Sequence, residues 1–308
     1  MGLFQQSTRP SSDKTAHVRR SVAGGAVNCG LHIILNPTAG SGAGRKLQQK
    51  VAEAAAALWG SAAPARGQPF AFHVTARQGE ATELARNAVA HGATMLIVCG
   101  GDGTVQEVVN GMLSAGIGPV TCELGIVNCG TGRGLADSLD LPASLEEQLS
   151  LIHSGDVVPL DVGRARYVSA NGGSGERFFV NECQLGIGGA VVARIEADRD
   201  HRGETASVQT AGRGLIPYKR LGGTLAFGLV AVEELVRLRC PELTVQIDDD
   251  DPIKERFLGI IVGNGAKCGG GMRLTPNALP DDGLFDVVLV REMNVPRRLW
   301  AFPKIYKG

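Results

Sequence analysis

The chain has 308 residues, enough for one large core or two modest ones. Lys plus Arg and Asp plus Glu stand at 31 each, so no bulk charge recommends nucleic acid as a partner, and any anion must be held by a local site. No apolar run reaches the roughly 18 residues of a membrane-spanning helix, because the nearest, Leu221 to Leu238, is broken by Glu233, Glu234 and Arg237.

Residues 1–27 are polar and rich in Ser, Thr and Arg, and lack the apolar core of a signal peptide. They read as a disordered tail, with an organelle transit peptide as the alternative. The start MGLFQQS misses the myristoylation pattern, since Gln6 stands where Ser or Thr is required. From 28 to 153 strand and helix alternate. LHIIL (31–35) predicts a buried strand and GRKLQQKVAEAAAALW (44–59) a helix. FAFHVT (70–75) is a strand, and EATELARNAVAHG (80–92) a helix closed by glycine. TMLIVC (94–99) and LGIVN (124–128) are strands, with the helix TVQEVVNGMLSAG (104–116) between them. Repeated β-α units imply a parallel sheet with helices on both faces.

From 154 to 308 the texture becomes mostly β: VVPLDVGRARYVSA, ERFFVNE, LTVQIDD, ERFLGIIVGN and LFDVVLVRE are strand-like runs between turns. Helices are expected only at 187–198 and 219–239, the latter a core helix or the lining of a lipid entrance, with an exposed polar loop at 199–214. The seven cysteines are odd in number and form no C-x-x-C pair, which fits free buried thiols and a cytoplasmic setting. His73, His91, His153 and His201 show no metal-ligand spacing.

The chemistry concentrates in glycine-rich turns. Gly100-Gly101-Asp102-Gly103-Thr104 follows the strand MLIVC, and in an open parallel sheet ligands bind beyond such carboxyl ends. Glycine lets the backbone approach a ligand, and the next helix offers unpaired N–H groups and a positive dipole end that suit phosphate. Thr104 adds a hydroxyl. A bare carboxylate repels phosphate, so Asp102 calls for Mg²⁺ or a ribose hydroxyl beside it, or else serves as a helix N-cap. LNPTAGSGAGRK (35–46) repeats the logic with Asn36 and Thr38, and NCGTGRG (128–134) repeats it with Thr131. Neither is a Walker A loop. Three such turns at one sheet edge describe a crevice for a nucleotide polyphosphate.

NPTAGSG, GGDGTVQEVVNG, LGIVNCGTGRGLADSLDLP, LDVG, FFVNECQLGIGGAVV and VGNGAKCGGGMRLTPNALPDDGLFDVVLV occur in this order. Together they resemble the catalytic domain of the diacylglycerol kinase family, which includes sphingosine and ceramide kinases and soluble bacterial lipid kinases. The resemblance runs from about Leu31 to Gly308. NAD kinases share the GGDGT element and an Asn-Glu pair that Asn181-Glu182 echoes, but GGGMRLTPNALPDDGLFDV is similar to the lipid-kinase continuation.

The resemblance implies an α/β nucleotide domain like that of phosphofructokinases and NAD kinases, then a β-rich, sandwich-like lipid-substrate domain. It implies ATP contacts from Asn36, Pro37, Thr38, Ala39, Gly40, Thr75, Gly100, Gly101, Asp102, Gly103, Thr104, Val105, Gln106 and Thr131. It makes Asp282 the general base, with a lipid bound between the domains. Asp282 has a rationale of its own: phosphorylating an alcohol requires a group to take the hydroxyl proton, although Asp-Asp-Gly is also an ordinary hairpin turn. Asp161 in LDVG joins Asp102 as an expected Mg²⁺ residue, or is a strand-edge carboxylate bonded to backbone.

Two departures stand out. Asn128 replaces the family's proline, and Arg133-Gly134 replace its Asn-Asp pair, which removes an acid linked to metal. Arg133 could bind phosphate instead, or Asp137 could supply the acid. The family also continues beyond the segment matching FPKIYKG, so the β domain is expected to be C-terminally incomplete, with an unpaired edge. The expectation is an ATP- and Mg²⁺-dependent lipid kinase, transiently at a membrane surface and compatible with a homodimer. The alternatives are an NAD or sphingoid-base acceptor, or a catalytically impaired nucleotide- or lipid-binding protein. No motif encodes the acceptor.

Overall fold

The structure is a computed structural model that describes residues 5–8, 30–60, 70–115, 122–155, 157–200 and 223–308. Cys29, His201 and most of the expected 199–214 loop lie outside the described residues, as do all of residues 1–27 except 5–8.

The first half is a parallel sheet of β2 (Leu31–Leu35), β3 (Ala71–Val74), β4 (Met95–Gly100) and β5 (Glu123–Asn128), in the order β3-β2-β4-β5. The period of two decides which side chain goes where. Ile34, Leu96 and Val98 face α2 (Glu80–Ala90) and α3 (Asp102–Leu113), where Ala81, Ala85, Val105, Val108 and Met112 meet them. Leu31, Ile33, Leu35, Ile97 and Cys99 face the other way. There they meet Val51 and Ala55 of α1 (Ala39–Trp59) and Leu149 of α5 (Leu145–Ser154). Helices therefore cover both faces, as the β-α repeats predict. Helix α1 starts at Ala39, five residues before the expected 44.

This strand order has a consequence for ligands. The chain leaves β2 through α1 toward one face, and leaves the neighbouring β4 through α3 toward the other. The connections diverge above these two strands, and their carboxyl ends frame a crevice at a topological switch point.

The second half is antiparallel. Its sheet runs β1-β11-β10-β8, with β9 (Glu242–Val245) also on β10. These strands are β1 (Gln5–Thr8), β11 (Phe285–Arg291), β10 (Ile253–Gly263) and β8 (Glu182–Gly186). Gln5–Thr8 pairs with Phe285–Val288, so these four residues form an edge strand where the sequence reading has tail. A hairpin of β6 (Gly163–Val168) and β7 (Ser174–Phe179) stands beside it. Residues 157–162, expected to be strand, lead into β6 without regular structure. Helices α6 (Ile187–Asp200) and α7 (Gly223–Arg237) are clasped by Arg194, which reaches Glu233 at 3.0 Å and Glu234 at 2.7 Å. The expected helix at 219–239 is thus seen over 223–237. The six described cysteines are free thiols. Among the described residues no helix is long and apolar enough to cross a membrane.

Hydrogen bonds join the halves at several points. Gln106 and Asn110 on α3 donate to the Phe178 carbonyl of β7, and Asn110 Oδ1 accepts the Phe178 amide at 2.9 Å. Ser138, which ends α4 (Gly134–Ser138), exchanges hydrogen bonds of 3.0 Å with the backbone of Lys267.

Candidate active-site crevice

The three glycine-rich turns meet as the motif spacing suggests. Asn36 Nδ2 donates to Thr104 Oγ1 at 2.9 Å, which ties the first turn to the second across the switch point. Asn36 Oδ1 accepts the amide and the hydroxyl of Thr38 at 2.9 and 2.8 Å. The amide of Thr75 bonds the Leu35 carbonyl at 2.9 Å, bringing the turn after β3 alongside, and Glu107 holds Gly79 at its far end. The second and third turns touch backbone to backbone. The Cys129 amide bonds the Gly100 carbonyl at 2.8 Å, and a Cβ added to Gly130 would lie 2.5 Å from Gly101 Cα. Only glycine permits that approach.

At the start of α3 the amides of Thr104 and Val105 bond the Gly101 carbonyl. Among the described residues those of Asp102 and Gly103 have no protein acceptor, and a Cβ on Gly103 would meet open space. Two free amides at the positive end of a helix, with room in front, form a cradle that fits a phosphate group. Thr131 is exposed beside it. Other expected contacts turn elsewhere. Val105 and Ala39 bury their side chains in the core, so only their backbone is left to the crevice, as is the case for Gly40, Gly100 and Gly101, which have no side chain. Gln106 is spent on the seam to β7.

The carboxylates are the most informative part. Asp102 accepts the Gly134 amide at 3.1 Å on Oδ2 and the Leu135 amide at 3.2 Å on Oδ1. It caps the short helix α4, and one lone-pair direction remains on each oxygen. Asp161 lies in the second half, two residues before β6. Its Oδ2 accepts the Gly283 amide at 2.5 Å, and its own amide bonds the Pro280 carbonyl at 2.7 Å. Asp161 therefore clamps the Pro280–Gly283 turn from both ends, with Gly283 at φ 75. Asp282, at the tip of that turn, is exposed, and its Oδ1 accepts the Leu284 amide at 2.9 Å. Among the described residues no group of three or more His, Cys, Asp or Glu side chains is gathered to hold a metal ion. Asp102 fits a divalent cation as one ligand beside phosphate oxygens, the usual manner of Mg²⁺.

The altered third turn has its own solution. Arg133 stands at φ 52, a left-handed conformation that costs a non-glycine residue about 1 kcal/mol or more. Its Nε bonds Asp137 Oδ1 at 2.9 Å and its Nη2 bonds the Leu141 carbonyl at 3.1 Å. The two residues expected to compensate for the missing acid are paired with each other. The opposite domain closes on the same turn, since the Gly270 amide bonds the Gly132 carbonyl at 2.9 Å.

Two residues gain weight that sequence reasoning did not give them. Glu182, seen there only as an echo of another family, sits beside Cys268, Gln184 and Asp102. Burial, reinforced by the Asp102 charge, pushes its carboxyl up to about 7. A carboxylate inside the apolar run FFVNECQLG was the available signal. Asn264 is fully buried and donates to the Asp161 and Val180 carbonyls, both at 2.9 Å, while its own Oδ1 has no partner among the described residues. It staples the segment carrying Asp161 to the end of β7.

The profile for the diacylglycerol kinase catalytic domain matches residues 30–165, and that for the YegS C-terminal NAD kinase beta sandwich-like domain matches residues 206–308. The chain belongs to the diacylglycerol kinase catalytic-domain family. Within the family it is 30% identical over 241 residues to a Xanthomonas euvesicatoria protein named "Probable lipid kinase YegS-like", covering 74% of this chain and 66% of that one. A Chromohalobacter salexigens protein of the same name is 28% identical, covering 76% and 65%. A Staphylococcus saprophyticus "Diacylglycerol kinase" is 26% identical, covering 72% and 63%. The chain thus spans just under two thirds of the length of these relatives. Its fold is shared with the crystal structure of a diacylglycerol kinase from Bacillus anthracis, at TM-score 0.58 and 24% identity, covering 89% of this chain and 77% of that one.

Proposed function

We propose that the protein is an ATP-dependent lipid kinase that transfers the γ-phosphoryl group to a hydroxyl of diacylglycerol or a related lipid. The observation that carries this reading is the cradle at the start of α3, locked to the first turn by Asn36–Thr104 and to the third by Gly101–Gly130. Backbone amides of Asp102 and Gly103 would take phosphate oxygens. Mg²⁺, held by Asp102 together with the phosphates, would supply charge neutralisation. Asp282, exposed on a clamped turn, would accept the proton of the acceptor hydroxyl, and Asp161 would hold that turn in place rather than bind metal. Positioning and electrostatics supply most of the acceleration in such a transfer.

A second reading, a catalytically impaired nucleotide- or lipid-binding protein, draws on the Arg133–Asp137 pair, which leaves the third turn without a free acid. One experiment separates the two. With radiolabelled γ-phosphate ATP, Mg²⁺ and mixed micelles of lipid and detergent, label is expected in the lipid phase. Asp282→Asn is expected to lower turnover at least 100-fold, the typical contribution of a general base at roughly 10²–10⁴-fold, with nucleotide affinity unchanged. Clear ATP binding without label in any lipid favours the impaired reading.

A further inference from the structure

A lipid kinase must meet its substrate at a bilayer, and one surface of the second half has the chemistry to do so. Helix α8 (Val295–Ala301), the 3-10 turn after it, Phe302–Tyr306, and the residue that closes that turn, Lys307, together supply Arg297, Arg298, Lys304 and Lys307 and no acidic residue. Arg298 turns inward. Its guanidinium donates to the Leu235 and Leu238 carbonyls at 3.0 and 2.9 Å, at the carboxyl end of α7, and to Met293. A cation on carbonyls at a helix C-terminus is a favourable anchor. It fixes which side of α8 faces out: Trp300 is 62% exposed and Leu299 38%, with Tyr306 42% exposed on the following turn. Lys304 Nζ lies 3.3 Å from the centre of the Trp300 ring, a cation–π contact, and Arg297 on the helix and Lys307 just after the turn are exposed.

The patch is also joined to the turn that bears Asp282. The Arg273 amide bonds the Ile305 carbonyl at 2.6 Å, and a Cβ added to Gly308 would lie 3.1 Å from Pro276 Cβ. From there the chain runs through Leu279, 56% exposed, into Pro280–Gly283.

We propose that this surface is an interfacial anchor whose partner is a bilayer containing anionic lipid. Trp300, Tyr306 and Leu299 enter the headgroup region, where amphipathic aromatic rings settle, and Arg297, Lys304 and Lys307 meet anionic headgroups. The positive, acid-free side-chain set is complementary to such a surface and to no neutral one. Each basic residue near an anionic leaflet contributes about 1 kcal/mol, or roughly fivefold in partitioning. The connection to Asp282 rests on the lipid-kinase reading; the anchor does not.

The test is binding without nucleotide. The full chain carrying Trp59→Phe leaves Trp300 as its only tryptophan. It is mixed with vesicles of phosphatidylcholine alone or of phosphatidylcholine with phosphatidylglycerol. Sedimentation with the anionic vesicles only, reversed by salt, is expected, with a blue shift of Trp300 emission and quenching by brominated acyl chains. Arg297→Gln/Lys304→Gln/Lys307→Gln should weaken partitioning by roughly 100-fold, and Trp300→Ala severalfold, with unchanged thermal melting. Absence of vesicle binding, binding with Trp300 unquenched, or burial of Trp300 in a concentration-dependent dimer would each overturn the proposal. Phosphorylation of micellar lipid by a chain that binds no vesicle sinks the anchor and spares the kinase. Vesicle binding without phosphate transfer does the reverse.

Discussion

The two sides of the crevice are built by different means. On the parallel-sheet side the ligand-facing surface is backbone, namely turns pressed together where a Cβ would not fit and helix amides left open. On the antiparallel side it is side chains that hold the backbone in place, with Asp161 clamping one turn and Asn264 stapling Asp161 to β7. The first side should be sensitive to added atoms and the second to removed polar groups. The clamp on Asp282 depends on a buried amide with no slack, since both Asn264 N–H groups are in use.

The largest stability effect is therefore expected at Asn264. Asn264→Leu keeps the branched heavy-atom skeleton but leaves two carbonyls, those of Asp161 and Val180, without their donor. At about 1–3 kcal/mol for each buried group left unpaired, a loss of about 2–6 kcal/mol is expected in urea unfolding. Loss of the orphaned Oδ1 offsets part of this. A change below about 1 kcal/mol would mean that the staple is redundant.

Glu182 should come next, with a distinctive pH signature. Its folded-state carboxyl, pushed up to about 7, stands above its ordinary 4.5. A raised carboxyl gives stability that is fully present below about pH 4.5 and lost as the pH rises through 7, because the folded state must then bury the charge. The difference corresponds to about 3 kcal/mol as an upper figure. In metal-free buffer the wild-type melting temperature should fall from pH 5 toward pH 8 relative to Glu182→Gln. Parallel curves for the two proteins would show that Glu182 is as solvated as an ordinary surface carboxylate.

The same contrast explains what was legible beforehand. The parallel half was readable because its signals are local: LHIIL and MLIVC alternate between two cores, and each glycine cluster sits where a strand hands over to a helix. The roles of side chains in the antiparallel half depend on contacts far apart in sequence. Asp161 and Gly283 are 122 residues apart, and Asn264 and Asp161 are 103 apart. No periodicity announces such pairs, so Asp161 read as a metal residue or a strand-edge carboxylate, and Asn264 was not singled out. Glu182 lay in plain view as a charge within an apolar run. What burial does to that charge is decided by Cys268 and Asp102, which approach it only in the fold. Gln106 shows the opposite case, close to the cradle in sequence while its side chain turns to another partner in space.

On the backbone-built side the expected effects are smaller in energy and sharper in function. Gly130→Ala puts a methyl 2.5 Å from Gly101 Cα, where the obstacle is main chain and cannot swing aside. Forcing the turns apart should cost about 1–3 kcal/mol and displace the cradle, so ATP affinity should fall more than stability. Unchanged nucleotide binding would remove the third turn from the site.

Arg133→Gly is the subtlest case because two effects oppose. Glycine relieves a left-handed conformation worth about 1 kcal/mol, while the part-exposed pair with Asp137 and the Leu141 hydrogen bond are lost, at about 1 kcal/mol together. Stability should stay within about 1 kcal/mol of the parent in the same unfolding assay, and the Asp137 carboxylate becomes free. If phosphate transfer rises in this variant, the altered turn is a brake that the pair applies. If transfer is unchanged, the acid is dispensable, and the cradle at the start of α3 carries the nucleotide without it.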